Sequence, residues 1–313
     1  MAEKVAFLFP GQGSQVVGMG RDLPEAFPEA RRVFERVDEI CQRPISRLCF
    51  EGPMDTLTLT ENLQPAIAAV SLGCLEVLKA SGIQPTVSAG HSLGEYAALV
   101  SSGSISSDNA LRLVRKRGEL MHREALANPG AMAAVVGLDL QAVEEVVALA
   151  KEDGVLAVAN HNTADQVVIT GQEGAVSRAA QLLKGRGGKA IPLKVSGAWH
   201  SPLMGGAVEE FRGFMEHVQF SSPKSSILLN ATAEGVSDPE QIKDIMARQL
   251  TSPVRWYEIV LKILSQGITT FAEIGPKRVL TGLLKKIAPS ETPLSVFNLE
   301  DQTSLKAFMD QFS

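Results

Sequence analysis

Val5–Phe9 is an unbroken apolar run, VAFLF, that stops at Pro10. A run this short, with no polar alternation, predicts a strand covered on both faces, as in a parallel sheet. GQGSQ follows as a tight loop. Helical spacing then recurs over Phe27–Cys41 and Pro65–Ala80, with Pro65 suited to a first helical position. Thr86–Gly90 reads as a short strand and Glu95–Ser101 as the start of a helix. A longer helix is predicted over Asp108–Leu126, with Ser107 or Asp108 as its N-cap.

The pattern changes at Asn128-Pro129-Gly130. AMAAVVGL, VLAVANH, QVVITG and KAIPLKV read as strands, and Leu140–Lys151 and Glu173–Lys184 read as helices. The resulting β-α-β-β-α-β order is that of a ferredoxin-like unit. Past Ser196 the chain rejoins the first pattern. Ser201–His217, Asp238–Leu250, Arg255–Ser265 and Val279–Ile287 have helical spacing, and Ile227–Asn230 and Thr269–Glu273 read as strands. The expected fold is therefore α/β. A large parallel-sheet domain over 1–128 and 197–313 is interrupted by a small α+β subdomain over 129–196.

Composition adds constraints rather than function. The 313 residues are 45% hydrophobic and 21% charged with a net charge of −5, which favours neither nucleic acid nor an anionic membrane. Cys41, Cys49 and Cys74 form no metal or CxxC pattern and read as free thiols of a reducing compartment. The apolar run near the N-terminus is too short for a signal core, and no stretch is expected to reach a membrane span of ~18–20 apolar residues. The expected setting is the cytoplasm.

The chemistry starts at Gly90-His91-Ser92-Leu93-Gly94. G-x-S-x-G between a strand and a helix is a nucleophile elbow, a sharp turn that lifts a serine clear of the sheet. Side chains at Gly90 or Gly94 would crowd it. The following helix presents its positive end, and the Leu93 N–H lies just past the serine as one oxyanion donor. A serine needs a base. Of the five histidines, His91 should diverge from its neighbour, while His122 and His217 sit in helical stretches. His200, where a strand gives way to a helix, is the first candidate and His161, in what reads as a polar loop, ANHNT, the second. Asp108, Asp139 and Asp165 are possible third members without a distinctive setting; a backbone carbonyl could equally fix the histidine tautomer. In the helix near residue 115, the apolar stripe Leu111, Val114, Gly118, Met121 places Lys116 opposite and leaves Arg115 and Arg117 equivalent. GQGSQV lacks the third glycine of a dinucleotide loop, and no GK[ST] follows.

FPGQGSQ (9–15), GHSLGEYAAL (90–99), RKRGELM (115–121), WHSPLM (199–204), Gln249 with SPVRW (252–256), and EIGPKRVLTGL (273–283) stand in one order along the chain. In these motifs, over nearly its whole length, the sequence resembles the malonyl-CoA:acyl carrier protein transacylases. The resemblance implies a hydrolase-like core with an inserted ferredoxin-like subdomain. It implies Ser92 as nucleophile and His200 as base. It implies an oxyanion hole from the N–H groups of Gln12 and Leu93, Arg117 on the substrate carboxylate, and the main-chain carbonyl of Gln249 orienting the imidazole. It implies malonyl-CoA and acyl carrier protein as partners. No resident cofactor or metal is implied; coenzyme A and phosphopantetheine are substrate handles. A monomer is expected.

One departure stands out. Trp199 occupies the place before the histidine where the fatty-acid enzymes usually have Phe, which puts a larger ring in the expected acyl pocket. Two basic clusters, Lys184/Arg186/Lys189/Lys194 and Lys277/Arg278/Lys285/Lys286, are candidate docking surfaces for an acidic carrier. The same residues also allow a discrete acyltransferase of a polyketide assembly line. A plain serine esterase or thioesterase fits the dyad but gives Arg117 no task, and a non-catalytic docking subunit gives none to Ser92 and His200.

Overall fold

Nine strands form two sheets in a computed structural model that describes residues 4–152 and 154–312. In chain order they are β1 (Val5–Phe9), β2 (Val87–Gly90), β3 (Ala131–Val136), β4 (Leu156–Thr163), β5 (Gln166–Gly171), β6 (Lys189–Pro192), β7 (Ser226–Leu228), β8 (Thr270–Ile274) and β9 (Ser295–Leu299). The first sheet has the order β7-β2-β1-β8-β9, and every pair in it is parallel. Its central strand explains the unbroken apolar run. Val5, Phe7 and Phe9 join a core with the helices Pro28–Cys41 and Thr60–Ala80. Ala6 and Leu8 join another with Trp256, Ile259 and Val260 from the helix Trp256–Ser265. Both faces are covered, so neither can be polar.

The second sheet has the order β4-β5-β3-β6 with antiparallel pairs throughout. The helices Leu140–Lys151 and Glu173–Gly185 supply Val143, Val146, Ala179 and Leu183 to its own core. Met132, Ala159 and Val168 instead belong to the main core. Backbone hydrogen bonds from His161 N to Val254 O (2.9 Å) and from Val254 N to Ala159 O (2.8 Å) join the two units. The expected α/β class, with a parallel core and a small antiparallel subdomain, is what the chain adopts; residues 1–3, 153 and 313 lie outside the description.

Several local expectations change. The helix ending at Ala80 begins at Thr60, so Pro65 lies within it and not at its first position. This helix is long and apolar enough for a membrane span, contrary to expectation, but 83% of that window is buried inside the protein, as in a core helix. The helix Ser107–Ala127 is capped by Ser106, whose side chain accepts from Asn109 N, and not by Ser107 or Asp108. ANHNT is strand, not loop, because β4 continues through two bulges to Thr163. Ser201–His217 divides into a 3₁₀ turn over Pro202–Ala207 and a helix over Val208–Met215.

The packing that matters for the site is between the helices Thr60–Ala80 and Ser107–Ala127. A Cβ added at Gly118 would lie 3.1 Å from Thr60 O and 3.2 Å from Glu61 Cα. Gly118 thus allows a close crossing, and the crossing fixes the turn that carries Arg117. Gly118→Val should cost about 1–3 kcal/mol through overpacking, read as a lowered midpoint in chemical denaturation. An unchanged midpoint would show that the crossing tolerates separation.

Candidate active site

The site forms at the carboxyl ends of β1 and β2, where open parallel sheets place their ligand crevices. β2 ends at Gly90, the chain turns through a 3₁₀ segment over Ser92–Gly94, and the helix Glu95–Ser101 follows at once. The elbow leaves no room for side chains at its glycines. A Cβ on Gly90 would sit 2.0 Å from Gly94 C, and one on Gly94 would sit 2.0 Å from Phe9 O. Ser92 itself has φ +51°, and His200 has φ +59°. Both members of the expected pair therefore hold left-handed backbone that non-glycine residues seldom adopt, a form of strain that costs of order 1–3 kcal/mol per residue.

The two come together although 108 positions separate them. Ser92 Oγ lies 2.8 Å from His200 Nε2. On the other side of the ring, Nδ1 lies 3.0 Å from Gln249 O and 3.1 Å from Ser252 O. Carbonyl oxygens only accept, so Nδ1 carries the hydrogen and Nε2 is left to accept from the serine. Burial, and then the positive charge of Arg117, lowers the His200 pKa to about 3. The imidazole is neutral at physiological pH and ready to take a proton.

Among the described residues, no aspartate completes the set. Asp108 pairs with Arg36, Asp139 caps the helix Leu140–Lys151, and Asp165 accepts from Thr163 Oγ1. His161, the second candidate for the base, stands on β4 with Nδ1 3.2 Å from Glu258 and its ring tilted 56° against that of Tyr257. His91 diverges from Ser92, with Nε2 2.9 Å from Asn162 Oδ1 and its ring edge-on to Trp256.

Geometry also separates the two arginines that spacing left equivalent. Arg115 turns outward, donating to Ile40 O and Glu119. Arg117 is 1% exposed. Its Nη2 donates to Ser92 Oγ (3.1 Å), and its Nε and Nη2 donate to Gln249 Oε1 (3.3 and 3.0 Å). Its guanidinium carbon lies 5.8 Å from the centre of the Tyr96 ring. Burial lowers the Arg117 pKa from its ordinary value, yet a guanidinium starts far enough above neutrality to remain a cation.

Ser92, His200, Arg117, Gln12, Leu93 and Trp199 line one cavity of about 100 Å³. His91, Met121, Met132, Asn160, Leu193 and Val195 make up the rest of its wall, and the last four come from the inserted unit. Trp199 is 5% exposed, and its indole Nε1 has no partner among the described residues. A larger groove of about 530 Å³ lies elsewhere, but its Arg36–Asp108 and Lys79–Glu76 charges satisfy one another. The smaller cavity brings together Ser92, His200 and a buried cation, Arg117, so it is the candidate site for the chemistry. Of the basic clusters, Arg186 is paired with Glu145, while Lys277 Nζ approaches Gly13 O at 3.5 Å on the loop next to Gln12.

Two residues at the site escaped the sequence reading. Glu95 is fully buried; its Oε1 accepts from Asn230 N (2.7 Å) and its Oε2 from Gln249 Nε2 (2.6 Å). Burial raises its pKa to about 7, against those hydrogen bonds and the Arg117 charge. Asn230 in turn accepts from Ser92 N at Oδ1 (2.7 Å) and donates from Nδ2 to Gly90 O (2.6 Å). Glu95 had one signal available, its place directly after the elbow. Asn230 had none, because its role depends on β7 lying beside β2.

The acyl transferase domain family matches residues 6–304. The chain is 45% identical over 286 residues to the malonyl CoA-acyl carrier protein transacylase of Bacillus subtilis (strain 168), covering 91% of this chain and 90% of that one. It is 38% identical over 310 residues to the protein of the same name from Haemophilus influenzae, covering 98% and 99%. Among solved structures, an acyl carrier protein S-malonyltransferase from Vibrio cholerae superposes with a TM-score of 0.92 at 40% identity, covering 98% of this chain and 100% of that chain. A malonyl-transacylase in complex with its type II PKS acyl-carrier protein gives 0.93 at 37% identity, covering 99% and 100%.

The depressed pKa makes a direct prediction. Nitrogen NMR of the imidazoles should find His200 neutral at pH 5.5, with the hydrogen on Nδ1, since protonation requires a pH near its lowered value of about 3. An imidazolium signal from His200 at that pH would contradict the burial argument.

Proposed function

The chain belongs to the acyl transferase domain family, and on that premise we propose that it moves a malonyl group from malonyl-CoA to the phosphopantetheine thiol of acyl carrier protein through a malonyl ester on Ser92. The observation that carries the reading is Arg117: a fixed, buried cation 3.1 Å from the nucleophilic oxygen. An isolated buried charge is costly unless paired. A carboxylate on the acyl group supplies the counter-charge, and the planar guanidinium can hold it by two parallel hydrogen bonds.

The steps follow from the geometry. Ser92 Oγ attacks the thioester carbon while His200 Nε2 takes its proton. The N–H groups of Gln12 and Leu93, on the cavity wall, stabilise the oxyanion; such a donor is worth about 2.7–4 kcal/mol. The nascent imidazolium shares its Nδ1–H with Gln249 O and Ser252 O. The Arg117 charge opposes that of the imidazolium. Once the malonyl carboxylate neutralises Arg117, the opposition falls, so a bound substrate with a free carboxylate makes the base stronger. His200 returns the proton to the leaving sulfur, and coenzyme A departs. The carrier's thiol then repeats the sequence in reverse, giving ping-pong kinetics.

Extender supply for fatty-acid synthesis is the role we propose. A carrier of a polyketide line is the second reading, favoured by the likeness to a transacylase solved with a type II PKS acyl-carrier protein. Trp199, on the cavity wall, narrows the space for a branched acyl group. Cys41, Cys49 and Cys74 are free and buried, which supports a cytoplasmic setting.

Arg117→Ala tests the reading. At about 1.5–3 kcal/mol for each hydrogen bond to a charged group, kcat/KM for malonyl-CoA should fall roughly 100-fold or more. The value for acetyl-CoA, which has no carboxylate to lose its partner, should fall much less. Equal losses for the two donors would remove the carboxylate role.

A further inference from the structure

We infer that Glu95 is a positioning residue that holds both ends of Ser92 through two arms, Asn230 and Gln249, and so aims the Leu93 N–H into the cavity. The inference rests on the proposed reading of Ser92 as nucleophile and Leu93 as oxyanion donor.

The arms can be traced bond by bond. Glu95 Oε1 accepts from the backbone N–H of Asn230 (2.7 Å), and Asn230 Oδ1 accepts from the Ser92 N–H (2.7 Å). Glu95 Oε2 accepts one hydrogen of Gln249 Nε2 (2.6 Å), and the same amide donates to Ser92 O (2.9 Å). One carboxylate thus governs the partner at each side of a single residue, and that residue is the strained one, with φ +51°. Asn230 also continues the strand pairing. β7 follows β2 only as far as the Ala89–Leu228 pair. Beyond it the Asn230 side chain bonds Gly90 O and Ser92 N, which leaves the elbow free to turn.

The consequence for catalysis comes from peptide planarity. Ser92 C=O and Leu93 N–H belong to one trans peptide, so they point in opposite directions. Gln249 Nε2 holds the carbonyl end of that plane from one side. The N–H end then faces the other way, along the wall that Leu93 shares with Ser92 and Gln12. Without the clamp, relaxing the φ of Ser92 would rotate the plane and carry the N–H off the oxyanion position. Arg117 holds the oxygen of the Gln249 amide, and Glu95 takes the second hydrogen of its nitrogen; with both in place the first hydrogen is held on Ser92 O.

Glu95→Gln keeps the shape but turns one acceptor oxygen into a donor, so one arm must open. Asn230→Ala removes the other arm's side chain and leaves Glu95 in place. Each variant is mixed with a trifluoromethyl ketone linked to coenzyme A through a thioether. In the adduct Ser92 Oγ bonds to the ketone carbon, the carbonyl electron pair moves to oxygen, and the serine proton goes to His200. Fluorine NMR then follows the pH at which the adduct oxygen is protonated. Folded variants should form the adduct but hold its oxyanion less well, so protonation occurs at a higher pH than in the wild type. Acylation by malonyl-CoA should slow about 100-fold, the loss typical of one oxyanion donor, with KM changed less than about threefold. An adduct that titrates as in the wild type, or a loss confined to KM, overturns the inference. If neither variant folds, Glu95 is a structural residue and the inference also falls. Absence of any serine adduct in the wild type would instead refute the reading of Ser92.

Discussion

The hydrogen on His200 Nδ1 is shared by two backbone carbonyls, those of Gln249 and Ser252, and that arrangement decides what every other group at the site can do. It fixes the tautomer, which leaves Nε2 as an acceptor 2.8 Å from Ser92 Oγ. A carboxylate in the same place would pull the imidazole toward its charged form. Carbonyl dipoles orient it without a counter-charge, so burial and the Arg117 cation keep it neutral. A buried guanidinium is tolerable beside a histidine only if that histidine is uncharged at rest; burial and Arg117 itself meet this condition, while the two carbonyls, which pull weakly the other way, set the tautomer.

Gln249 joins this constraint to the rest of the site. Its backbone oxygen holds His200, its side-chain oxygen holds Arg117, and its side-chain nitrogen holds Ser92 O and Glu95. Ser92, His200 and Arg117 therefore share one support at the short 3₁₀ turn Gln249–Thr251. The small unit adds what a parallel sheet alone lacks. Its Met132, Leu193 and Val195 line the cavity, and the desolvation they contribute strengthens the charge interactions within it. On the proposed reading, substrate electrostatics and proton transfer are coupled, because a carboxylate beside Arg117 would offset the charge that lowers the His200 pKa.

Much of this was legible from residues close together in the chain. The apolar run of β1, the glycine-flanked serine, and the helices Leu140–Lys151 and Val279–Ile287 appear where local pattern placed them. What depended on distant partners was not. β9 and the helix Gln302–Phe312 were missed; SVFNL is too short and mixed to stand out, and it is strand because β8 offers it a parallel edge. His161 looked like a loop residue because ANHNT is polar, whereas β4 keeps those side chains buried against the main domain. Periodicity could not choose between Arg115 and Arg117, since both flank one stripe. The close approach of two helices at Gly118 and the reach to Gln249 make the choice. Glu95 and Asn230 were missed for the same reason: their meaning lies in bonds spanning 135 and 138 positions.

The most direct measurement is the mass of the whole protein after brief mixing with malonyl-CoA or with acetyl-CoA, followed by mapping of the labelled peptide. One malonyl ester on Ser92, discharged on adding the phosphopantetheine-bearing carrier, with little acetyl ester formed in parallel, is the predicted result. No label on Ser92, or equal labelling by the two donors, would contradict a histidine-activated serine paired with a carboxylate-selecting arginine.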